Sequence, residues 1–303
     1  MALVVERIIL RKVKNSEELI LDMVSTPNYI LKSADWGTVK GTHHTYKYIN
    51  QIGASVTGTS LETRSPVIEG WVVAQSESHM TTLKRKLNQF VNPQEELELF
   101  YSDYVIKFIP SESVKYSVTA EENNEYFCKF QINGICPNPL FSSVHENIIP
   151  FVTTVPAFHF PLIMSEELPD KGVVFGKRMP SLIISIVNDG SVSTGMRIVF
   201  KANGTVVNPS LINVTTQEEF IINKTLVAGE EVEIVTNIGE KSVKGKIGNN
   251  EFENYFMYKD IDSPWLQLNV GDNIFRYNVQ DGIDNLDVFI YFSNKFLEVQ
   301  ECY

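Results

Sequence analysis

Apolar and polar residues alternate along most of the chain. Tyr126, Cys128, Phe130 and Ile132 fall on one side of a period-two pattern while Lys129 and Gln131 fall on the other, as in a strand with one buried face. Similar short runs recur at Leu97 to Tyr101, Val105 to Ile109, Val114 to Val118, Leu182 to Val187 and Met196 to Phe200. Further runs follow at Phe220 to Ile222, Val232 to Val235 and Val288 to Phe292. Gly, Asn and Asp punctuate them, so the pattern predicts a mainly β protein of short strands stacked as sandwiches.

The period changes once. From about Ser78 to Val91, Met80, Leu83, Leu87 and Phe90 are spaced three, four and three and share one stripe of a helix. Ser76 or Ser78 supplies the N-terminal cap, and Asn92-Pro93 ends the helix because proline lacks the N–H and disfavours helical geometry in its neighbour. Lys84, Arg85 and Lys86 lie mostly off the stripe toward the C-terminal half, where the helix dipole favours cations. They read as a solvated basic face, with docking of an acidic neighbour as the sharper alternative.

Cys136-Pro-Asn-Pro-Leu-Phe141, followed by Pro150, Pro156, Pro161 and Pro169, splits the strand series in two. Proline cannot donate in a central ladder, so this stretch predicts a connector, edge strand or docking arm. The domain boundary falls here, giving residues 1–138 and 139–303.

Composition narrows the function. At 303 residues the chain exceeds a typical single domain, and Lys+Arg 26 against Asp+Glu 37 gives a net charge of −11. That surface repels nucleic acid and anionic membranes, so neither specific nucleic-acid binding nor membrane attachment is expected. The longest apolar runs, such as Ser181 to Val187, are strand-sized, and the charges interrupting Met1 to Lys14 are unlike a secretory leader. Synthesis and folding in a cytoplasm are expected. Cys128, Cys136 and Cys302 form no CxxC pair and read as free structural thiols. The sequons at Asn203, Asn213 and Asn223 read as turn residues flanking strands.

Candidate chemistry is sparse. His43, His44, His79, His145 and His159 stand in no metal-binding spacing, and Cys128, Cys136, His145 and His159 are too loosely strung for zinc. No nucleophile elbow, phosphate loop or dinucleotide turn occurs. No catalytic residue, metal ligand or cofactor is therefore expected. The acidic doublets Glu95-Glu96, Glu121-Glu122, Glu166-Glu167, Glu218-Glu219 and Glu230-Glu231 could pair carboxylates for glycoside cleavage, but solvated strand ends are the simpler reading. Trp36, Trp71 and Trp265 could stack on sugars; Trp71 and Trp265 lie in strand-like apolar settings that favour a core or inter-sheet role.

Several segments, in order, resemble the siphophage distal tail protein family. Arg85-Lys-Leu-Asn-Gln-Phe-Val-Asn-Pro93 running into Leu97-Glu-Leu-Phe-Tyr101 is similar to its basic helix and following strand, and Phe130 to Phe141 to its strand closing on Cys-Pro-x-Pro-aromatic. Val187-Asn-Asp-Gly-Ser-Val192, Gly195 to Phe200 and Val207-Asn-Pro-Ser-Leu-Ile-Asn213 resemble its Asn-x-Gly, strand and Asn-Pro-x-Ile-x-Asn succession. Leu226 to Ile234 and Trp265 to Ile274 resemble its later strands and closing Leu-x-x-Gly-x-Asn turn.

The resemblance implies an N-terminal ring-forming belt domain over residues 1–138 and a C-terminal galectin-like β-sandwich over 139–303. It also implies a structural virion protein of the tail tip: a homo-hexameric ring joining the tail tube protein to the hub, the tail-associated lysin and the receptor-binding proteins, with DNA passing through. The alternative reading is a carbohydrate-binding module that helps attachment to the host cell wall.

Overall fold

The computed structural model describes residues 7–24, 28–156, 176–180 and 182–299. The chain forms two compact units, Met1–Val144 with Phe296–Tyr303, and His145–Lys295. The first begins with β1 (Arg7–Lys12), β2 (Glu18–Asp22), β3 (Tyr29–Asp35), β4 (Gly41–Tyr46), β5 (Ser55–Leu61) and β6 (Val67–Val73). Helix α1 (Glu77–Phe90) leads to β7 (Leu97–Tyr101), β8 (Tyr104–Pro110), β9 (Lys115–Tyr116), β10 (Phe127–Ile135) and β11 (Phe141–Ser143).

The second unit carries β12 (Asn147–Pro150), β13 (Val152–Pro156), β14 (Gly176–Pro180), β15 (Ile183–Asn188), β16 (Arg197–Ala202), β17 (Val206–Val207) and β18 (Ser210–Asn213). It continues with β19 (Glu218–Ile221), β20 (Thr225–Leu226), β21 (Glu230–Val235), β22 (Ser242–Ile247), β23 (Glu253–Asn254), β24 (Gly271–Asn278) and β25 (Leu286–Phe292). A last short strand, β26 (Lys295–Phe296), joins the first unit's sheet beside β11.

In the first unit the sheet runs β26-β11-β8-β7-β1-β2-β3-β6-β10-β9, and β8 also pairs with β10 through Gly134↔Pro110 and Ile135↔Ile109. That second pairing closes the strands from β8 through β10 into a barrel-like sheet, with the short strands β11, β26 and β9 beside the seam. Closure requires a close approach. A Cβ on Gly134 would stand 2.4 Å from the Phe108 ring, so only glycine fits where β10 crosses β8.

Strands β7 and β10 bury alternate residues, which is why their periodicity is so clear in sequence. Helix α1 lays Met80, Leu83, Leu87 and Phe90 into the same core as Leu10, Leu21, Phe108 and Phe130. Its N-terminal cap is Ser76, whose Oγ accepts from the His79 N–H at 3.3 Å. The last turn holds no basic residue of its own. Lys12 of β1 serves instead: its Nζ donates to the Gln89 carbonyl at 3.0 Å and pairs with Glu95 at 3.0 Å. Of the predicted basic face, Arg85 and Lys86 are exposed, whereas Lys84 is half-buried and donates to Asn123 Oδ1 at 3.2 Å.

The second unit is a sandwich. One antiparallel sheet runs β12-β25-β16-β21-β22-β23 and the other β15-β24-β18-β19, and their inward residues form one core around Phe200, Val232, Ile290, Leu211, Phe220 and Phe275. Buried asparagines fix its turns. Asn188 Oδ1 accepts from the Gly190 N–H, Asn213 Oδ1 from those of Thr215 and Thr216, and Asn273 Oδ1 from that of Asn269. Of the sequon asparagines, Asn213 caps such a local turn, whereas Asn203 donates across the unit to Asp287 at 2.8 Å and Asn223 to Asp260 at 2.9 Å.

Pro150 ends the edge strand β12, and Pro156 and Pro180 sit at opposite ends of the β13–β14 ribbon. Pro161 and Pro169 lie outside the described residues. The units divide after Val144 rather than after residue 138, because β11 pairs with β8 and Phe141 lies in the first core.

Candidate functional site

One element of the first unit stands apart from its sheet. β4 and β5 pair only with each other, from Gly41↔Leu61 to Tyr46↔Ser55, and nearly every residue is exposed. With both faces in water there is no alternating stripe, and hydroxyls take over locally. His43 Nδ1 lies 2.9 Å from Thr59 Oγ1, and Thr57 Oγ1 donates to the His44 carbonyl at 3.0 Å. The far end is apolar: the Tyr46 and Tyr48 rings meet edge to face at 4.5 Å, and Ile49 and Ile52 are fully exposed. Between Gly41 and Leu61 stands Lys47 but no carboxylate, in a chain of net charge −11. Clustered apolar exposure of this kind marks a recognition surface.

Arg64 follows β5 and is 1% exposed. Its Nε donates to the Pro139 carbonyl at 3.0 Å, one terminal nitrogen to the Gly37 carbonyl at 3.1 Å, and the other to the Leu297 carbonyl. The Glu298 carboxylate completes the charge at 3.4 Å, and the Phe141 ring lies 4.7 Å from the guanidinium carbon. Residues far apart in sequence thus converge on one planar fork, which alone has donors pointing in enough directions to hold them. Beside it, burial pushes the Cys136 thiol up to about 12 against the opposing pull of Arg64, so the group stays protonated.

The second unit presents a groove of about 320 Å3 along β22 and β23, lined by Lys241, Ser242, Lys244, Phe252, Glu253 and Phe256 among others. Trp265 stands behind it, its ring 5.4 Å from Phe220 and 6.0 Å from Phe256. The ammonium groups of Lys241 and Lys259 each lie 5.6 Å from the indole centroid. Burial holds Lys259 below the usual lysine range, partly offset by the charges of Asp260 and Asp262 and reinforced by that of Lys241.

The residues singled out in sequence fall elsewhere. His43 and His44 are on the ribbon, His79 Nδ1 accepts from the Gln75 N–H at the helix start, and His145 opens the second unit. His159, Cys302 and Glu166-Glu167 lie outside the described residues. Among the described residues no three His, Cys, Asp or Glu side chains gather where a metal could sit, and Cys128 and Cys136 are buried free thiols. Trp36 packs on Tyr101 at 5.2 Å and Phe141 at 6.1 Å, and Trp71 meets Phe127 edge-on at 5.7 Å.

Three members of the described doublets form ion pairs at or near the surface, Glu95 with Lys12, Glu122 with Lys129 and Glu231 with Lys246. Glu230 departs from the solvated reading. It is wholly buried, accepting from Lys224 Nζ at 2.6 Å and the Val227 N–H at 3.0 Å. Arg64, the ribbon and the groove were not anticipated. The one local signal for the ribbon was Tyr46-Lys-Tyr-Ile-Asn-Gln-Ile52, a run of large apolar residues with neither helical nor strand period.

The chain thus joins a barrel-like β unit carrying a separate two-stranded ribbon to a β-sandwich. Residues 26–136 match the family described as phage tail protein RIFT-related domain, and residues 189–296 match the siphovirus-type tail component, C-terminal domain. The chain belongs to the siphovirus-type tail component family, that of the distal tail proteins, a family of virion structural proteins rather than enzymes.

The fold is that of the phage SPP1 Dit protein, described as a paradigm of the hub adsorption apparatus in phages infecting Gram-positive bacteria. The two share 12% identity over 95% of this chain and 99% of that one, with a TM-score of 0.64. A chain of the phage P2 baseplate in its activated conformation with calcium is similar at 9% identity, covering 95% of this chain and 98% of that one, with a TM-score of 0.49. No curated protein matches the chain in sequence.

Proposed function

We propose that this tail component closes into a six-fold ring at the distal end of the tail, joining the tail tube to the hub, lysin and receptor-binding proteins while DNA passes through its centre. The observation that carries this reading is the β4–β5 ribbon. An isolated two-stranded hairpin is marginal in water, and this one leaves both edges open and its apolar end exposed. A neighbouring copy supplies what it lacks. In this reading the receiving surface lies elsewhere on the subunit, so each contact repeats head to tail until the ring closes.

The chain's negative charge suits a channel along which DNA slides without adhering. Negative-stain images of concentrated protein, or of tails from the parent phage, should show rings with six subunits about the axis. Replacing residues 44–57 by a short Gly-Ser turn should abolish rings and leave the monomer's unfolding temperature nearly unchanged. Rings that persist without the ribbon would remove it from the interface, and a protein never found in rings or at the tail tip of its own virion would end the proposal.

A further inference from the structure

The proposed ring makes no use of the groove along β22 and β23, whose composition is unusual for an outer sheet edge. Phe252 and Phe256, which line it, are 42% and 51% exposed, yet both rings are held in place. Lys246 Nζ lies 4.5 Å from the Phe252 centroid, and Trp265 backs Phe256 with the two planes only 34° apart. Lys246 is neutralised by Glu231 at 3.6 Å. Lys241 and Lys244, by contrast, have no ion-pair partner among the described residues. Lys241 also shares the Trp265 ring with Lys259, so two ammonium groups crowd one indole. Unpaired positive charge beside open, fixed aromatic rings fits a ligand that is both anionic and able to stack.

We propose that this groove binds an anionic saccharide. The apolar face of a sugar ring covers Phe252 or Phe256, a phosphate or carboxylate takes charge-assisted bonds from Lys241 and Lys244, and Glu253 and Asn254 are the groups that exchange hydrogen bonds with hydroxyls. Its volume of about 320 Å3 falls at the lower end of the range of small-molecule sites. Nucleic acid also combines phosphate with stacking bases, but the net charge of −11 weighs more heavily against a chain of phosphates than against a single anionic group. The site stands independently of ring closure, since it uses no residue of the ribbon.

The test exploits the three tryptophans, of which only Trp265 adjoins the groove. The full chain labelled with 5-fluorotryptophan is titrated with a phosphorylated oligosaccharide, its dephosphorylated form, inorganic phosphate and a short oligothymidylate. The phosphorylated saccharide should move the Trp265 resonance alone and bind about tenfold more tightly than the neutral form, the margin of a charge-assisted contact. A K241Q/K244Q double variant, altered only at exposed positions, should keep the unfolding temperature and lose that binding. The proposal fails if no saccharide moves Trp265, if phosphate alone or the oligothymidylate binds as well, or if the double variant binds undiminished.

Discussion

A guanidinium cannot shed its proton, so Arg64 carries its charge into the core and the surroundings must answer it. Three backbone carbonyls, the Glu298 carboxylate and the face of Phe141 do so. Buried and half-buried tyrosines elsewhere in the two units take the other course and stay neutral. Burial raises the Tyr29, Tyr116 and Tyr277 hydroxyls, and burial followed by the Glu230 hydrogen bond and charge brings Tyr255 up to about 12. A raised value in the folded state means that the neutral form is the one the fold favours. Its contribution is fully present below the unfolded value of 10.0 and is lost as pH climbs through the folded one, so the Tyr255 window runs from pH 10 to about 12. Denaturant unfolding followed upward from neutral pH should therefore show stability falling in that window, with a shallower fall for Tyr255→Phe. Equal slopes for the two proteins would show that Tyr255 does not take part.

Helix α1 tests the packing argument. Leu87 is 1% exposed in the barrel core, so Leu87→Ala should cost about 2 to 5 kcal/mol through lost transfer energy and the cavity left behind. Lys86 is exposed, and Lys86→Ala should cost well under ~1 kcal/mol. Denaturant midpoints of the two variants check this, and comparable losses would put the wrong face inward. The same contrast explains what was legible in sequence. β7 was bounded at Leu97 and Tyr101, as observed, because one-sided burial imposes alternation on the residues themselves. β4 and β5 bury neither face, so nothing constrains their pattern and the most exposed candidate surface left no periodic trace. The groove was invisible for another reason: Lys241 and Phe256 are brought to one groove only by the fold, and convergence at a distance is not written in local spacing. Trp265 was named as a sugar candidate, yet its ring stands behind the groove, packed between Phe220 and Phe256.

At the scale of the whole molecule, the second unit is an insertion into the first, which the chain leaves at Val144 and rejoins at Phe296. The first core is complete only with what comes back: Phe296 meets Tyr104 at 5.2 Å, Val299 is buried there, and Leu297 and Glu298 answer Arg64. This connectivity sets a clock on the ribosome. At roughly 5–20 residues per second the segment between the two crossings takes about 8–30 s to make, and throughout that time the earlier-made unit lacks its closing residues. The sandwich itself waits for β25, which ends at Phe292, so both units complete within a few residues of one another. Arrest-peptide profiling of nascent chains should accordingly record no folding signal for the first unit until the chain passes Phe296, and a signal before the second unit is made would refute the delay. A polypeptide broken off before residue 296 leaves Arg64 buried without its Leu297 and Glu298 partners and the first core without Val299, so incomplete translation products should be kept out of the growing particle by connectivity alone.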